Sequence, residues 1–169
     1  MQSDERYRAV IGHFATGVAV ITAEGSDGSR GGMTANAVCS LSLDPLLLLV
    51  CFENVARTLP IVRTAGRFGV NILRADHSEL SRTFASKREE RAKFDGVPWS
   101  LREGVPVLAE AIAWLACELR ELYPAGDHTI AIGAVQAMDH DGGGDPLIFY
   151  RGSYVTVART KLPTNRSAG

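Results

Sequence analysis

A segment of small and hydroxyl-bearing residues, 32–45, lies between two short apolar runs and constrains the fold more than any other part of the chain. The runs, residues 16–23 and 46–52, are aliphatic or β-branched and bounded by Gly, Asp or Pro, so both are predicted to be buried strands. In the segment between them, small side chains would let a ligand approach the backbone, and hydroxyl, amide and N–H groups could bond to it. A polar-faced strand that ends in a turn at Asp44 and Pro45 explains the same residues, and composition alone favours this second interpretation.

The composition excludes several classes of protein. The chain has 169 residues, of which 46% are hydrophobic, which predicts a single soluble domain over residues 1–158 and a polar, flexible tail over 159–169. No apolar run approaches the roughly 20 residues that a membrane-spanning helix needs. A net charge of −1 gives no reason to expect nucleic acid or a membrane surface as a partner. Cys39, Cys51 and Cys117 match no metal or CxxC spacing, so we expect buried free thiols in the cytoplasm.

The periodicity of apolar residues predicts a mainly β protein with a few short helices. Strands are predicted over residues 16–23, 34–42, 46–52, 67–73, 129–138 and 147–150, with 34–42 pairing antiparallel with the first. One helix is predicted over residues 7–14, a second after an N-cap at Asn54, and a third that starts at Asp76 or Ser78. The mixed charges of residues 82–93 are typical of a solvated helical face. Residues 111–119 fit either a helix or a strand, and residues 123–127 read as a turn.

The motifs of several enzyme classes are missing from the sequence. It has no GxGxxG between a strand and a helix, no GxSxG and no HExxH. The four histidines show no zinc-ligand spacing, so no metal site is expected. His128 follows Gly126 and Asp127 at the entry to a predicted strand. It is either a residue that projects into a cleft or a turn histidine bonded to a nearby carbonyl group.

Several short motifs, in order along the chain, resemble the short-chain flavin reductase family. They are TGVAVITA (16–23), GMTANA (32–37), SLSLDP (40–45), FGVNIL (68–73), LSRTFA (80–85), KFD (93–95), GDHTI (126–130) and PLIFYRG (146–152). The likeness covers residues 7–154. It implies an FMN-binding split β-barrel, with antiparallel strands in a Greek-key-like order, that forms homodimers. It also makes residues 111–119 a strand.

The resemblance implies an NAD(P)H:flavin oxidoreductase that transfers hydride from NADH or NADPH to FMN or FAD and supplies reduced flavin to a partner monooxygenase. Positions that match flavin contacts are Met33, Thr34, Ala35, Asn36, Ser40, Cys51, Ala56, Arg57, Thr58, Phe84, Ser86 and Lys87, with 56–58 at the phosphate. The positions on the nicotinamide side are His128, Tyr150, Arg151 and Tyr154. His128 would position the hydride donor, and no essential acid or base is implied.

Two other functions remain open from the sequence. One is a flavin- or nucleotide-binding module of the same fold without turnover. The other is an enzyme like pyridoxamine-phosphate oxidase, which would need a cluster of phosphate-binding Arg and Lys residues that is not evident here. Ala37 and Arg57 depart from some relatives, so the resemblance does not separate FMN from FAD. It also does not separate NADH from NADPH or name the partner oxygenase.

Overall fold

A curved seven-stranded antiparallel sheet organises the computed structural model, which describes residues 3–158. The strands are β1 (Thr16–Gly17), β2 (Ala19–Glu24), β3 (Arg30–Ala35), β4 (Val38–Leu43), β5 (Leu46–Glu53), β6 (Arg67–Ile72), β7 (Trp99–Arg102), β8 (Val105–Leu108), β9 (Ala113–Ala125), β10 (His128–His140), β11 (Ile148–Tyr150) and β12 (Ser153–Val155). The helices are α1 (Asp4–Ile11), α2 (Thr58–Ala65), α3 (Ser78–Ala85) and a 3₁₀ helix (Arg91–Phe94).

The edge strands of this sheet follow one another in the chain. The strand order is β3-β2-β6-β9-β10-β5-β4, and only Asn36 and Ala37 separate β3 from β4. Three Cα steps span at most roughly 11 Å, so the sheet has to curl until its two edges meet. The result is a β-barrel that is open along the β3–β4 line, which confirms the expected split barrel. The Ala37 carbonyl accepts a hydrogen bond from the N–H of Cys51 at 3.0 Å and fastens the link to β5.

Residues 34–42 were predicted to form one strand, and this prediction is wrong because the strand breaks at the link. Ala35 pairs with Ala19 of β2, whereas Val38 pairs with Val50 of β5. Two smaller sheets complete the structure: β1-β11-β12 and the β7-β8 hairpin. Most of the segment over residues 111–119 is a strand, as the resemblance implied, because β9 begins at Ala113.

Three buried apolar clusters hold these elements together, and the third is a small one of Val105, Val107 and Ala116. Inside the barrel, the rings of Phe52 and Phe68 meet edge to face with centroids 6.3 Å apart. Beneath α3, Phe84 packs against Phe94 with a centroid distance of 5.0 Å. The second cluster joins α3 and the 3₁₀ helix to the barrel, and these two elements form part of the wall of the cavity described below.

Local side-chain contacts explain why several boundaries differ from the predicted ones. The first helix begins three residues earlier than residues 7–14, because the Ser3 side chain accepts a hydrogen bond from the N–H of Arg6 and caps it. Asn54 does not cap α2; its side chain donates to Gly126 O at 3.1 Å and accepts from Thr129 Oγ1 at 2.7 Å. Residues 123–125 belong to β9 and not to a turn, since they pair with β10.

The predicted solvated helix over residues 82–93 is also wrong. The helix ends at Ala85, and Glu90 and Lys93 are buried. Cys39 is exposed, contrary to prediction, whereas Cys51 is half-buried and Cys117 is buried. Within residues 3–158, no helix combines the length and the apolar character needed to cross a bilayer. The tail predicted over residues 159–169 lies outside the described residues.

Candidate functional site

An open cavity of about 660 Å³ lies beside the link between the two edge strands. This volume is typical of small-molecule and cofactor sites, which span roughly 300–1,000 Å³. The walls come from β3, the link, β5, the start of α2, the end of α3 and the start of β10. The lining residues are Met33, Thr34, Ala35, Asn36, Ala37, Cys51, Glu53, Val55, Ala56, Arg57, Thr58, Phe84, Ala85, Ser86, Lys87, Glu90, Lys93 and His128.

The wall formed by β3 and the link combines small side chains with hydrogen-bonding groups. Ala35 and Ala37 add little bulk beside Asn36. Thr34 Oγ1 donates to the carbonyl oxygen of Ser81 at 2.6 Å. Because a hydroxyl has one proton, Thr34 offers only oxygen lone pairs to any other partner. This wall can therefore admit a flat ring and accept a hydrogen bond from it.

The start of α2 supplies backbone donors. The N–H groups of Arg57 and Thr58 have no acceptor in the part of the chain that the structure describes. Donors in the first turn of a helix suit an anion. The Thr58 hydroxyl, in contrast, donates to Glu90 Oε2 at 2.9 Å. An anion in the cavity would therefore meet the backbone of Thr58 and not its hydroxyl proton.

Cationic side chains outnumber carboxylates in the lining. The cations are Arg57, Lys87 and Lys93, against the carboxylates Glu53 and Glu90. Lys93 is buried against Glu90, with Nζ and Oε1 2.7 Å apart, so its charge is compensated locally. The more exposed Arg57 and Lys87 leave this end of the cavity suited to a phosphate group.

His128 is the first residue of β10 and lines the cavity beside the end of β5. Its Nδ1 lies 2.7 Å from Oδ1 of Asp127. An ionised carboxylate only accepts hydrogen bonds, so Nδ1 donates and the neutral ring keeps its lone pair on Nε2. The hydrogen bond from His128 holds the pKa of Asp127 below its usual value. Burial raises the pKa of the Cys51 thiol, which therefore lines the cavity as a neutral group.

The structure brings most of the predicted flavin positions together. The cavity is lined by Met33, Thr34, Ala35, Asn36, Cys51, Ala56, Arg57, Thr58, Phe84, Ser86, Lys87 and His128. Ser40 lies outside it, exposed on β4 and paired with Leu48.

The other three positions assigned to the nicotinamide side also lie outside the lining. Tyr150 contacts His13, and the N–H of Arg151 donates to Gly12 O. The Tyr154 hydroxyl lies 2.7 Å from Ser81 Oγ. Ser81 in turn accepts the hydrogen bond from Thr34 through its carbonyl oxygen. Tyr154 therefore supports the cavity wall from outside.

Sequence reasoning missed five lining residues: Glu53, Val55, Ala85, Glu90 and Lys93. The i, i+3 spacing of Glu90 and Lys93 carried a usable signal, because opposite charges at that spacing meet on one side of a helical turn. Their burial was not readable, since it depends on β3, some 60 residues earlier in the sequence.

The residues of the cavity fit a flavin. Small residues and a fixed acceptor line one end, where the ring would need close approach and hydrogen bonds. Two unpaired N–H groups with Arg57 and Lys87 line the other, where its phosphate would need donors and positive charge. Flavin is therefore consistent with the donor set of this cavity.

Comparisons with known proteins agree with this assignment. Residues 11–158 match the family model described as flavin reductase like domain. A Rhizobium meliloti protein named "Probable flavin reductase" is 42% identical over 150 residues, which is 88% of this chain; the chain spans about half (47%) of that relative's length.

Two further relatives are matched over most of their length. The reductase subunit HsaB of a flavin-dependent monooxygenase from Mycobacterium tuberculosis is 34% identical, and the match covers 95% of this chain and 86% of HsaB. The solved structure of the NADH:FAD oxidoreductase SgcE6 from Streptomyces globisporus superimposes with a TM-score of 0.87 at 35% identity, covering 92% of this chain and 94% of that one. The chain therefore belongs to the family of flavin reductase-like domains.

Proposed function

We propose that this chain is an NAD(P)H:flavin oxidoreductase that supplies reduced flavin to a separate flavin-dependent monooxygenase. The observation that carries the proposal is the cavity itself. It has the volume, the small-residue wall and the cationic end that a flavin requires, and His128 stands at its edge. The names of the relatives, an NADH:FAD oxidoreductase and a monooxygenase reductase subunit, support the same activity and partner.

A bound flavin would supply the acceptor for the hydride of the nicotinamide, and this chain would bind and orient the two molecules. The Thr34 oxygen accepts a hydrogen bond from the ring system. The N–H groups of Arg57 and Thr58 bind the phosphate, together with the Lys87 ammonium group. His128 orients the nicotinamide through Nε2, because its Nδ1 is held by Asp127. No side chain needs to gain or lose a proton, since hydride transfer requires no acid or base.

An open cavity favours flavin as a diffusing substrate. Both FMN and FAD carry the phosphate that the cationic end accepts, and we assign FMN and FAD alike as substrates. NADH is the expected donor, with NADPH as the second to be tested. The chain acts as a homodimer, for which exposed leucines on β4 and β5 provide the surface. Three free thiols suit a reducing compartment such as the cytoplasm.

The deciding experiment follows the loss of NADH or NADPH absorbance with the purified protein and added FMN, FAD or riboflavin. Rapid oxidation that depends on both the protein and the flavin is the expected result. The six combinations of donor and flavin give the preference for NADH or NADPH and the preference among the three flavins in one assay. Folded protein that retains flavin but oxidises neither donor would overturn the proposal and leave a binding module.

A further inference from the structure

Glu90 and Lys93 form a buried ion pair in the cavity wall. Glu90 is 8% exposed and Lys93 4%. Glu90 Oε2 accepts hydrogen bonds from the N–H of Gly32 at 3.0 Å and from Thr58 Oγ1 at 2.9 Å. Lys93 Nζ donates to Glu90 Oε1 at 2.7 Å and to Gly32 O at 3.0 Å. One carboxylate thus ties β3, the start of α2 and the 3₁₀ helix together.

The same carboxylate also faces Arg57. Arg57 Nε lies 3.6 Å from Glu90 Oε1. The other end of the guanidinium donates to the carbonyl oxygens of Lys87 and Arg88. A continuous chain of contacts therefore runs from Glu90 through Arg57 to the backbone that carries the Lys87 side chain.

Stability alone does not account for this pair. Two buried charges lose their hydration, and apolar residues of similar volume often replace such pairs without loss of stability. What an apolar pair could not do is hold the Arg57 guanidinium in one orientation, because that requires a charge. Packing does not explain the contact of Glu90 with Arg57 or the contacts of Arg57 with the backbone of Lys87 and Arg88, which all lie at the phosphate end of the cavity.

We infer that Glu90 is a positioning residue that fixes Arg57, and through it the segment of residues 86–90 with Lys87, for binding the phosphate of a flavin. The inference rests on the proposed function and goes beyond it by giving Arg57 a different role. The side chain of Arg57 anchors the wall, and Lys87 and the backbone N–H groups of residues 57–58 meet the phosphate. Lys93 neutralises the charge that Glu90 brings into the wall.

The test uses the full chain with Glu90→Gln and Lys93→Met combined. The glutamine oxygen keeps its contacts with Gly32 and Thr58, and the methionine removes a cation that would otherwise be buried without its partner. The glutamine amide, however, presents N–H to the N–H of Arg57, so the contact with Arg57 is lost. Glu79→Gln, in the exposed Glu79–Arg82 pair on α3, is the matched control.

Two measurements decide the outcome. Dissociation constants for FMN and for riboflavin, from quenching of flavin fluorescence, separate phosphate binding from ring binding. The double variant should bind FMN about tenfold more weakly and riboflavin within about twofold of the parent chain. Equal weakening for both ligands, or no change for FMN, would overturn the inference.

The second measurement needs no flavin. Limited trypsin cleavage after Lys87 and Arg88 should become severalfold faster in the double variant, while its melting temperature stays close to that of the parent. Unchanged cleavage would contradict the positioning role, even if the protein proved to bind no flavin. Failure of the parent chain to bind FMN would instead contradict the proposed function. If the double variant fails to fold, Glu90→Gln alone receives the same two measurements.

Discussion

His128 is oriented by a carboxylate that is itself almost fully in solvent. The Asp127 side chain is 94% exposed, yet its oxygen lies 2.7 Å from Nδ1 of His128. The hydrogen bond from His128 lowers the pKa of Asp127. Asp127 therefore stays ionised at pH values below its usual titration range, and the contact is lost only when the pH falls through the lowered pKa. Because Nδ1 donates to this carboxylate, the lone pair of the neutral imidazole is on Nε2.

Replacing His128 by alanine should raise the KM for NAD(P)H roughly tenfold, the equivalent of one hydrogen bond. The KM for flavin should change less than twofold, because the ring and phosphate contacts lie on other strands. Steady-state kinetics with each substrate varied in turn measure both constants. Asp127→Asn is the control, since the amide oxygen still accepts from Nδ1 and the effect should be smaller. Equal changes for both substrates would remove His128 from the donor side.

Cys117 provides a prediction for alkaline pH. Burial raises the pKa of this thiol from 9.0 to about 12. The unfolded chain releases the thiol proton first as the pH rises. Stability is therefore fully present below pH 9 and falls between pH 9 and the folded pKa. From pH 8 to 10.5 the parent chain should lose about 2 kcal/mol more than Cys117→Ala. Urea unfolding at both pH values measures this difference, and parallel losses in the two proteins would refute the assignment.

At the level of single residues, the sequence revealed which side chains to examine but not what they contact. Thr34, Arg57 and His128 could be selected from motifs. The direction of the Thr34 hydroxyl could not, because its acceptor is a carbonyl 47 positions away. The buried pair of Glu90 and Lys93 was mistaken for a solvated face for the same reason. Pairing and burial of polar groups depend on distant strands, which periodicity does not report.

The β9–β10 hairpin is the longest element and is bent at two register shifts, one of them between Ile132 and Gly133. Gly133 lies against β6. A Cβ there would come within 2.5 Å of the Phe68 ring and 2.9 Å of the Cys117 Cβ atom. The missing side chain is what allows the barrel interior to close over Phe68 at this position.

Gly133→Ala should therefore lower the free energy of unfolding by about 1–3 kcal/mol, the usual consequence of overpacking a core. Urea denaturation followed by circular dichroism measures the change. Gly17→Ala is the matched control, since a Cβ at Gly17 would meet nothing within 4 Å. A Gly133→Ala protein as stable as the Gly17→Ala protein would show that the strand can shift to admit a methyl group.

Among whole elements, long periodic segments were the most predictable. The strands over residues 67–73 and 129–138 were placed to within a few positions, because alternation and β-branched residues persist along them. The break at Asn36 and Ala37 was not foreseen. Nothing in the local sequence distinguishes one long strand from two short ones whose partners lie at opposite edges of a sheet. Recognition of the ordered motifs, and not periodicity, supplied the barrel.

For the molecule as a whole, exposed leucines at the β4–β5 turn predict the homodimer interface. Leu43 is 83% exposed, Leu41 47% and Leu46 41%, all on or beside an edge strand. Apolar side chains on a strand edge favour association with a second copy. Light scattering after size exclusion should give twice the chain mass of 18.2 kDa.

Leu43→Lys should shift the protein toward the monomer, because a buried charge at the interface costs several kcal/mol when it is unpaired. Leu101→Lys, which replaces an exposed leucine on β7, should leave the mass unchanged. A monomeric parent chain would contradict the dimer. A dimer that survives Leu43→Lys would place the interface on another surface.

The two-residue link between β3 and β4 has a consequence for the local opening of the barrel. In a closed barrel, backbone hydrogen bonds would pair β3 with β4. Here these two strands are not paired, and the chain itself connects them. The cavity opens beside the β3–β4 line and is lined by β3, the link and β5, so a ligand bound there contacts β3 on one side of the line and β5 on the other. Amide hydrogens of β3 and of the link should therefore exchange with solvent more slowly once a ligand is bound.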